Sequence, residues 1–267
     1  MQKNQSATIT EKKSWGNDYF LLSFEAPEIA RESKPGQFLM VRITSHPYPL
    51  LRRPFSIHAR DKKNIEIFFQ NAGVGTSMLS QKQRGDTIEI LGPLGNGFPI
   101  EKKYEQATAS LIGGGRGAAP LYFLARELMK KNVKITVFYG GKSLKDLPIA
   151  SKFKKENIKT LCSTEDGSSG FKGLITDLFE TELKTDIPSL IFACGPEGML
   201  KTVAKISKTH RIPAELSLES IMGCGFGACW GCVKKLKKGK TAEWHKVCED
   251  GPVFSAGDIV WDEHENG

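Results

Sequence analysis

Four cysteines near the C-terminal end of the chain, Cys224, Cys229, Cys232 and Cys248, stand in the spacing C-x4-C-x2-C-x15-C. Thiolates are soft ligands that suit zinc, copper(I) and iron–sulfur clusters alike, so the spacing has to narrow the choice. C-x4-C-x2-C followed by a distant fourth cysteine is the plant-type pattern for holding a [2Fe–2S] cluster. Structural zinc prefers paired C-x2-C knuckles, and this stretch contains one such pair. Gly223, Gly225, Gly227 and Gly231 are interleaved with the cysteines. A loop wrapping a bulky cluster needs unusual backbone angles and amides turned toward sulfur, both of which glycine supplies. The midpoint of the fifteen-residue gap, Lys240, adjoins Gly239, so two arms of similar length can form a hairpin that returns Cys248 beside Cys232. Iron–sulfur is the favoured reading, ahead of zinc and of unligated thiols.

Three other stretches have the residue types for chemistry. In "LIGGGRGAAPLYFLAREL", Gly113, Gly114, Gly115 and Gly117 lie between a predicted strand and a predicted helix. Glycines there let the backbone approach a pyrophosphate, and the helix start adds its positive dipole end. The pattern is GGGxGxxP rather than GxGxxG, and a glycine-rich turn without ligand is the plainer alternative. In "LRRPFSIHA", Arg53 sits within an apolar strand, where an unpaired guanidinium is costly. Either a phosphate or carboxylate takes its paired donors, or the arginine reaches solvent at a strand edge. "ACGPEGML" puts Cys194, Gly195 and Pro196 at the carboxyl end of a predicted parallel strand, the side of such sheets where ligands bind. Cys194 reads equally as a buried small hydrophobe, and Cys162 reads as core.

The elements that must position these residues change character along the chain. Up to about residue 100, short apolar runs ("FLLSFEA", "GQFLMVRI", "RPFSIHA", "NIEIFFQ", "DTIEILG") separated by turn residues predict an antiparallel barrel or sandwich, with one short helix at "GTSMLSQK". From about residue 106, strands alternate with helices, from "TASLIGG" to a last strand at "PAELSL"; that rhythm implies a parallel, doubly wound sheet. The 267 residues are enough for two domains with separate cores.

Composition excludes several classes. The N-terminal "MQKNQSATIT" has no apolar signal region, and no apolar run approaches the ~18 residues of a membrane span. A cytoplasmic chain with no membrane partner is expected, and its six cysteines are then not a disulfide framework. The net charge of +8 is spread over scattered lysines without interleaved aromatics, so no nucleic-acid partner is expected.

Taken together, "RRPFS", "GVGTSML", "GGGRGAAP" and "CGPEGM" resemble the ferredoxin–NAD(P) reductase superfamily. With the C-terminal cysteine spacing added, the whole chain resembles the electron-transfer subunits of NAD-linked dihydroorotate dehydrogenase B. The resemblance implies a β + α/β chain: an FAD-binding antiparallel β-barrel over 1–102, a Rossmann-like NAD-binding domain over 103–218 and a [2Fe–2S] lobe over 219–267. By the same resemblance Arg53, Pro54, Phe55 and Ser56 bind FAD, Phe68, Phe69 and Gln70 line the flavin, and Gly75 and Thr76 hold phosphate. Gly113, Gly114, Gly115 and Gly117, with Cys194, Gly195 and Pro196, position the nicotinamide nucleotide, and the four spaced cysteines ligate the cluster. No catalytic nucleophile or carboxylate pair is required, because the cofactors carry the redox chemistry.

The implied partner is an FMN-containing dihydroorotate dehydrogenase catalytic subunit, in a heterotetramer of two of each, serving pyrimidine (UMP) biosynthesis. "YGGKSLKDLP" offers no arginine pair for a 2′-phosphate, so NAD(H) is expected rather than NADPH. Two alternatives stand beside this. One is a homologous reductase subunit of a ferredoxin:NAD(P) transhydrogenase or a sulfhydrogenase. The other is a zinc-stabilised binding module.

Overall fold

The computed structural model describes residues 3–16, 18–44, 48–100, 104–239 and 241–261. The expected domain boundary at 102/103 and the hairpin midpoint Lys240 lie outside the described residues.

The N-terminal half is a closed barrel. Its strands are β1 (Lys3–Trp15), β2 (Tyr19–Glu25), β3 (Phe38–Arg42), β4 (Arg53–Arg60), β5 (Asn64–Gln70) and β6 (Thr87–Leu94), arranged β1-β2-β5-β4-β3-β6. Helices α1 (Pro27–Glu32) and α2 (Val74–Gln81) cover it. Five of the six strands coincide with the apolar runs. β1 does not: of its thirteen residues only Ala7 and Ile9 are buried. It belongs to the barrel through its backbone, pairing Lys3–Thr8 with β6 and Ile9–Trp15 with β2. Closure leaves no free edge, which is why a polar segment is held there.

The second half is a seven-stranded sheet. It contains β7 (Thr108–Gly114), β8 (Lys134–Gly141), β9 (Lys159–Thr164), β10 (Phe171–Lys172), β11 (Leu190–Cys194), β12 (Ala214–Ser217) and a late strand, β15 (Val253–Ser255). The order is β10-β9-β8-β7-β11-β12-β15, parallel throughout except for β15, which runs antiparallel to β12. Helices α3 (Ala118–Met129), α4 (Ala150–Lys155), α5 (Ile175–Glu182) and α6 (Glu197–His210) cross over between strands. β7 and β11 are buried along nearly their whole length and β8 over most of its second half, as strands covered by helices on both faces must be.

The cysteine-rich segment forms a lobe around the expected hairpin, β13 (Val233–Lys238) paired with β14 (Thr241–Lys246), with Gly239 at φ 64° in its turn. The lobe touches both domains. β15 extends the parallel sheet, while on the barrel side Asn96 Nδ2 donates to the carbonyls of Glu249 and Asp250, both at 3.0 Å.

Barrel and sheet meet at His58, which is fully buried. Burial first, then the positive charge of Lys152, holds its pKa down at about 3, against an ordinary 6.5. The unfolded chain therefore gains a proton as pH falls through 6.5, whereas the folded chain refuses it until about 3. Stability from this residue is complete above pH 6.5 and is lost on the way down. Between pH 7 and pH 5 the loss is about 2 kcal/mol, at about 1.4 kcal/mol per pKa unit. Urea midpoints at the two pH values should differ accordingly, and by less in His58→Gln.

Candidate cofactor-binding sites

β4 and β5 present one wall of a cavity of about 310 Å³, lined by Arg53, Pro54, Phe55 and Ser56 from β4 and by Phe68, Phe69 and Gln70 from β5. These seven are brought together as expected. Thr76 also lines the cavity, but its hydroxyl accepts the amides of Ala72 and Gly73 at 2.9 and 3.0 Å, closing the start of α2. Gly75 does not line it. A Cβ at Gly75 would stand 3.3 Å from Arg53 Nε, so its service is to leave room for the guanidinium, whose Nη1 donates to the Leu51 carbonyl. Arg53 is therefore not stranded in the strand interior. It lines the cavity, where a guanidinium suits an anion. Arg53→Ala should weaken FAD binding by one to two orders of magnitude, since a charge-assisted contact is worth about 1.5–3 kcal/mol; flavin retained through dialysis measures it.

The opposite wall comes from elsewhere in the chain. Gly117 and Cys194 belong to the α/β domain, and Leu218, Glu219, Met222 and Pro252 belong to the cysteine lobe or its approach. Cys194 is buried, and burial, reinforced by the charge of Glu219, pushes its thiol up to about 12. It is a neutral, buried thiol whose residue lines the first cavity and not the second.

A second cavity, of about 540 Å³, opens at the carboxyl ends of β7, β8, β9 and β11. Gly114, Gly115 and Pro196 line it, as do Lys142, Asp146 and Glu165. Gly113 and Gly195 line neither cavity. Their role is close packing: a Cβ at Gly113 would meet Ala118 Cα at 2.9 Å, and one at Gly195 would meet Met199 Cε at 2.7 Å. Gly114 lines the cavity and also packs closely, since a Cβ there would meet Met199 Sδ and Pro196 Cδ at 2.8 Å, whereas Gly115 has open space around it. Gln70, Arg116 and Glu219 line both cavities, so the two are contiguous. Sequence reasoning missed Arg116, although it lies inside the glycine run. It also missed Glu219 and Met222, which carry no local signal. Tyr19 was missed too; its hydroxyl donates to Asp146 Oδ1 at 2.9 Å across the domain junction.

The four spaced cysteines stand in two thiol pairs, Cys224 with Cys229 and Cys232 with Cys248. Backbone amides are aimed at them: Gly227 N donates to Cys248 Sγ at 3.2 Å and Cys248 N to Cys232 Sγ at 3.4 Å. At Cys224, burial opposes ionisation, but donors from Phe226, Cys229 and Ala228 prevail and hold the thiol down at about 6. At Cys248, burial and the neighbouring Cys232 push the thiol up to about 12. Gly225 and Gly227 turn the loop at φ 83° and 89°, in the left-handed region that glycine enters without strain. A structural zinc needs four ligands around one point; a binuclear cluster needs two thiolates at each iron. Two pairs with amides directed at sulfur fit the cluster.

The cluster loop and the first cavity share a wall. Phe38 and Met222 line that cavity, and both pack with Cys232 and Cys248 in one apolar cluster. Met222 is two residues from Cys224, a span of at most about 7 Å.

Comparison with known proteins agrees with this layout. Residues 6–98 match the oxidoreductase FAD-binding domain, 111–205 the oxidoreductase NAD-binding domain, and 219–260 the iron–sulfur cluster binding domain of dihydroorotate dehydrogenase B. The dihydroorotate dehydrogenase B (NAD(+)) electron transfer subunit of Geobacillus sp. (strain WCH70) is 39% identical over 97% of this chain and 100% of its own length. That of Desulforamulus reducens is 36% identical over 92% and 94%. A solved NADH-dependent reduced ferredoxin-NADP oxidoreductase chain superposes with a TM-score of 0.86 at 29% identity, covering 96% of this chain and 90% of that one. A Neisseria gonorrhoeae ferredoxin NADP+ reductase, at 17% identity and a TM-score of 0.65, shares the fold. With binding domains for FAD, NAD and an iron–sulfur cluster in that order, the chain belongs to the family of dihydroorotate dehydrogenase B (NAD(+)) electron transfer subunits.

Proposed function

We infer that this chain carries electrons between NAD(H) and a catalytic subunit that contains FMN and oxidises dihydroorotate to orotate, in the pyrimidine (UMP) pathway of the cytoplasm. The observation that carries the reading is the continuity of the three sites. The FAD cavity opens onto the nicotinamide cavity through Gln70, Arg116 and Glu219, and its far wall, at Met222 and Pro252, is built by the cysteine lobe. A flavin exchanges electrons in pairs with nicotinamide and singly with a cluster, so the middle place belongs to it.

In this reading the chain's own groups bind and orient. Arg53 anchors the pyrophosphate, Ser56 and Gln70 face the flavin, Gly114, Gly115 and Pro196 admit the dinucleotide, and the two cysteine pairs hold the cluster. Lys142 is the cation at the end of β8, but Glu165 puts a carboxylate in the same cavity, which disfavours a 2′-phosphate and selects NAD(H). We divide the chain into a flavin domain (1–102), a nicotinamide domain (103–218) and a cluster lobe (219–267), and place two copies with two catalytic subunits. Among the described residues no helix is long and apolar enough to cross a membrane.

Mixing the purified chain with an FMN-containing dihydroorotate dehydrogenase subunit is the test. Dihydroorotate-dependent reduction of NAD+ should appear only when both are present, and the complex should sediment as a tetramer. The likeness to the ferredoxin-NADP oxidoreductase chain supports a second reading, reductase of a transhydrogenase. Reduction by ferredoxin with no response to dihydroorotate would establish that one instead.

A further inference from the structure

The pairing of β4 with β5 is interrupted once: Ile57 faces Ile67 and Ala59 faces Glu66, which leaves His58 as an extra residue without a partner. Such a bulge re-aims a side chain and is common beside active sites. Here it sends an imidazole, two residues past Ser56, out of the barrel and into the α/β domain. Nδ1 lies 2.9 Å from the carbonyl of Ala119, which lines the FAD cavity two residues beyond Gly117. The ring stacks on Tyr122, one turn further along α3, with centroids 4.8 Å apart and planes 14° apart. Lys152 Nζ is 3.0 Å from Nε2, sits over the Tyr122 ring at 4.7 Å, and returns to the barrel by an ion pair with Glu66 at 3.5 Å.

These contacts define one arrangement. An ammonium can only donate, so Nε2 accepts and Nδ1 carries the proton that goes to Ala119. Both nitrogens of a fully buried ring are satisfied, and the charge that satisfies one of them is itself paired. A junction that needed only packing would be apolar, because burying an imidazole requires partners. What the imidazole adds is direction: a bond from the flavin strand to the first turn of α3, where the glycine loop ends. α3 is buried along most of its length, so its start cannot shift without moving Gly114–Gly117.

We propose that His58 is a positioning residue that fixes the separation between the flavin strand β4 and the dinucleotide loop, acting through Ala119 and Tyr122 and held in its tautomer by Lys152. The proposal rests on the assignment of the two cavities to FAD and nicotinamide. Misplacing reacting groups by about 1 Å costs on the order of a hundredfold in rate, so loss of the tie shows in the reaction more than in the binding.

The experiment uses the full chain, with His58→Phe, which keeps the stacking and removes both hydrogen bonds, and Lys152→Met, which keeps the packing and removes the donor. Two readouts are taken. One is the long-wavelength charge-transfer absorbance that appears when NAD+ is added to the chemically reduced protein. The other is the NADH dependence of flavin bleaching in anaerobic stopped flow. His58→Phe should weaken the band and lower the limiting rate about tenfold or more, with half-saturating NADH shifted less than about threefold. Lys152→Met should act in the same direction and less, and His58→Gln should recover part of the rate. Unaltered band and limiting rate in flavin-loaded variants overturn the proposal, as does an effect confined to half-saturation. If His58→Phe does not fold, Lys152→Met decides on the same criteria. Retention of FAD by Arg53→Ala would instead fault the cavity assignment; loss of FAD there, with junction variants transferring electrons at the unaltered rate, faults the positioning role alone.

Discussion

A Cys248→Ser chain is expected to keep its flavin, to be bleached by NADH, and to deliver no electrons to its catalytic partner. Serine replaces a soft thiolate by a hard hydroxyl that scarcely ionises, and metal affinity depends on the deprotonated ligand. The substituted atom is buried against Cys232 and accepts the Gly227 amide, so the pocket is built around a sulfur at this position. Losing an outer partner of a metal site costs roughly 10–100-fold, and losing a ligand costs more. Iron per chain should fall from about two toward zero, and partner-directed electron flow should fall with it. The flavin cavity depends on β4 and β5, so reduction by NADH should survive. Unimpaired delivery by an iron-free chain would reduce the lobe to a structural part.

Gly117→Ala is expected to have a large effect for a single methyl group. The new Cβ would lie 2.1 Å from the Cys194 carbonyl oxygen, 2.4 Å from its carbon and 2.6 Å from Gly195 Cα. All three are backbone atoms at the end of β11, so no side chain can swing aside. Either α3 or the Cys194 loop must withdraw, and each lines a cofactor cavity. Overpacking of this kind costs about 1–3 kcal/mol in stability. A displacement of about 1 Å at the reacting centre costs on the order of a hundredfold in rate. Thermal unfolding and NADH-driven flavin bleaching measure the two. Gly257→Ala, where nothing lies within 4 Å of the added carbon, should change neither; normal bleaching in Gly117→Ala would mean that the loops part without cost.

What could be read in advance followed from local physics. β2, β7, β8 and β11 announced themselves because burial on one or both faces demands apolar runs. The return of Cys248 beside Cys232 was legible from the length of the gap and Gly239, and the amide of Val247 does reach the Cys232 carbonyl at 3.0 Å. β1 was not legible: a strand that closes a barrel through its backbone while burying two side chains leaves no pattern. β15 is three residues long and exists because β12 offers an edge. Gly113 was read as ligand-facing when its constraint is Ala118, since both roles ask for the absence of a Cβ. Glu219 and Met222 enter the cavities only because the lobe folds back over the barrel, and no spacing along the chain encodes that.

Strand β15 has a consequence for how the protein is made. During synthesis the parallel sheet is complete in every other respect once β12 leaves the ribosome, yet its flank stays bare until residues 253–255 emerge. A naked flank of Ala214–Ser217 is a template for a foreign strand, and chains awaiting such a partner are prone to intermolecular association. A chain ending at Ser217 would carry that flank permanently. The cluster lobe therefore also acts as a late-arriving guard, and premature termination within it should send the nascent protein to inclusion bodies rather than release a soluble flavoenzyme lacking iron.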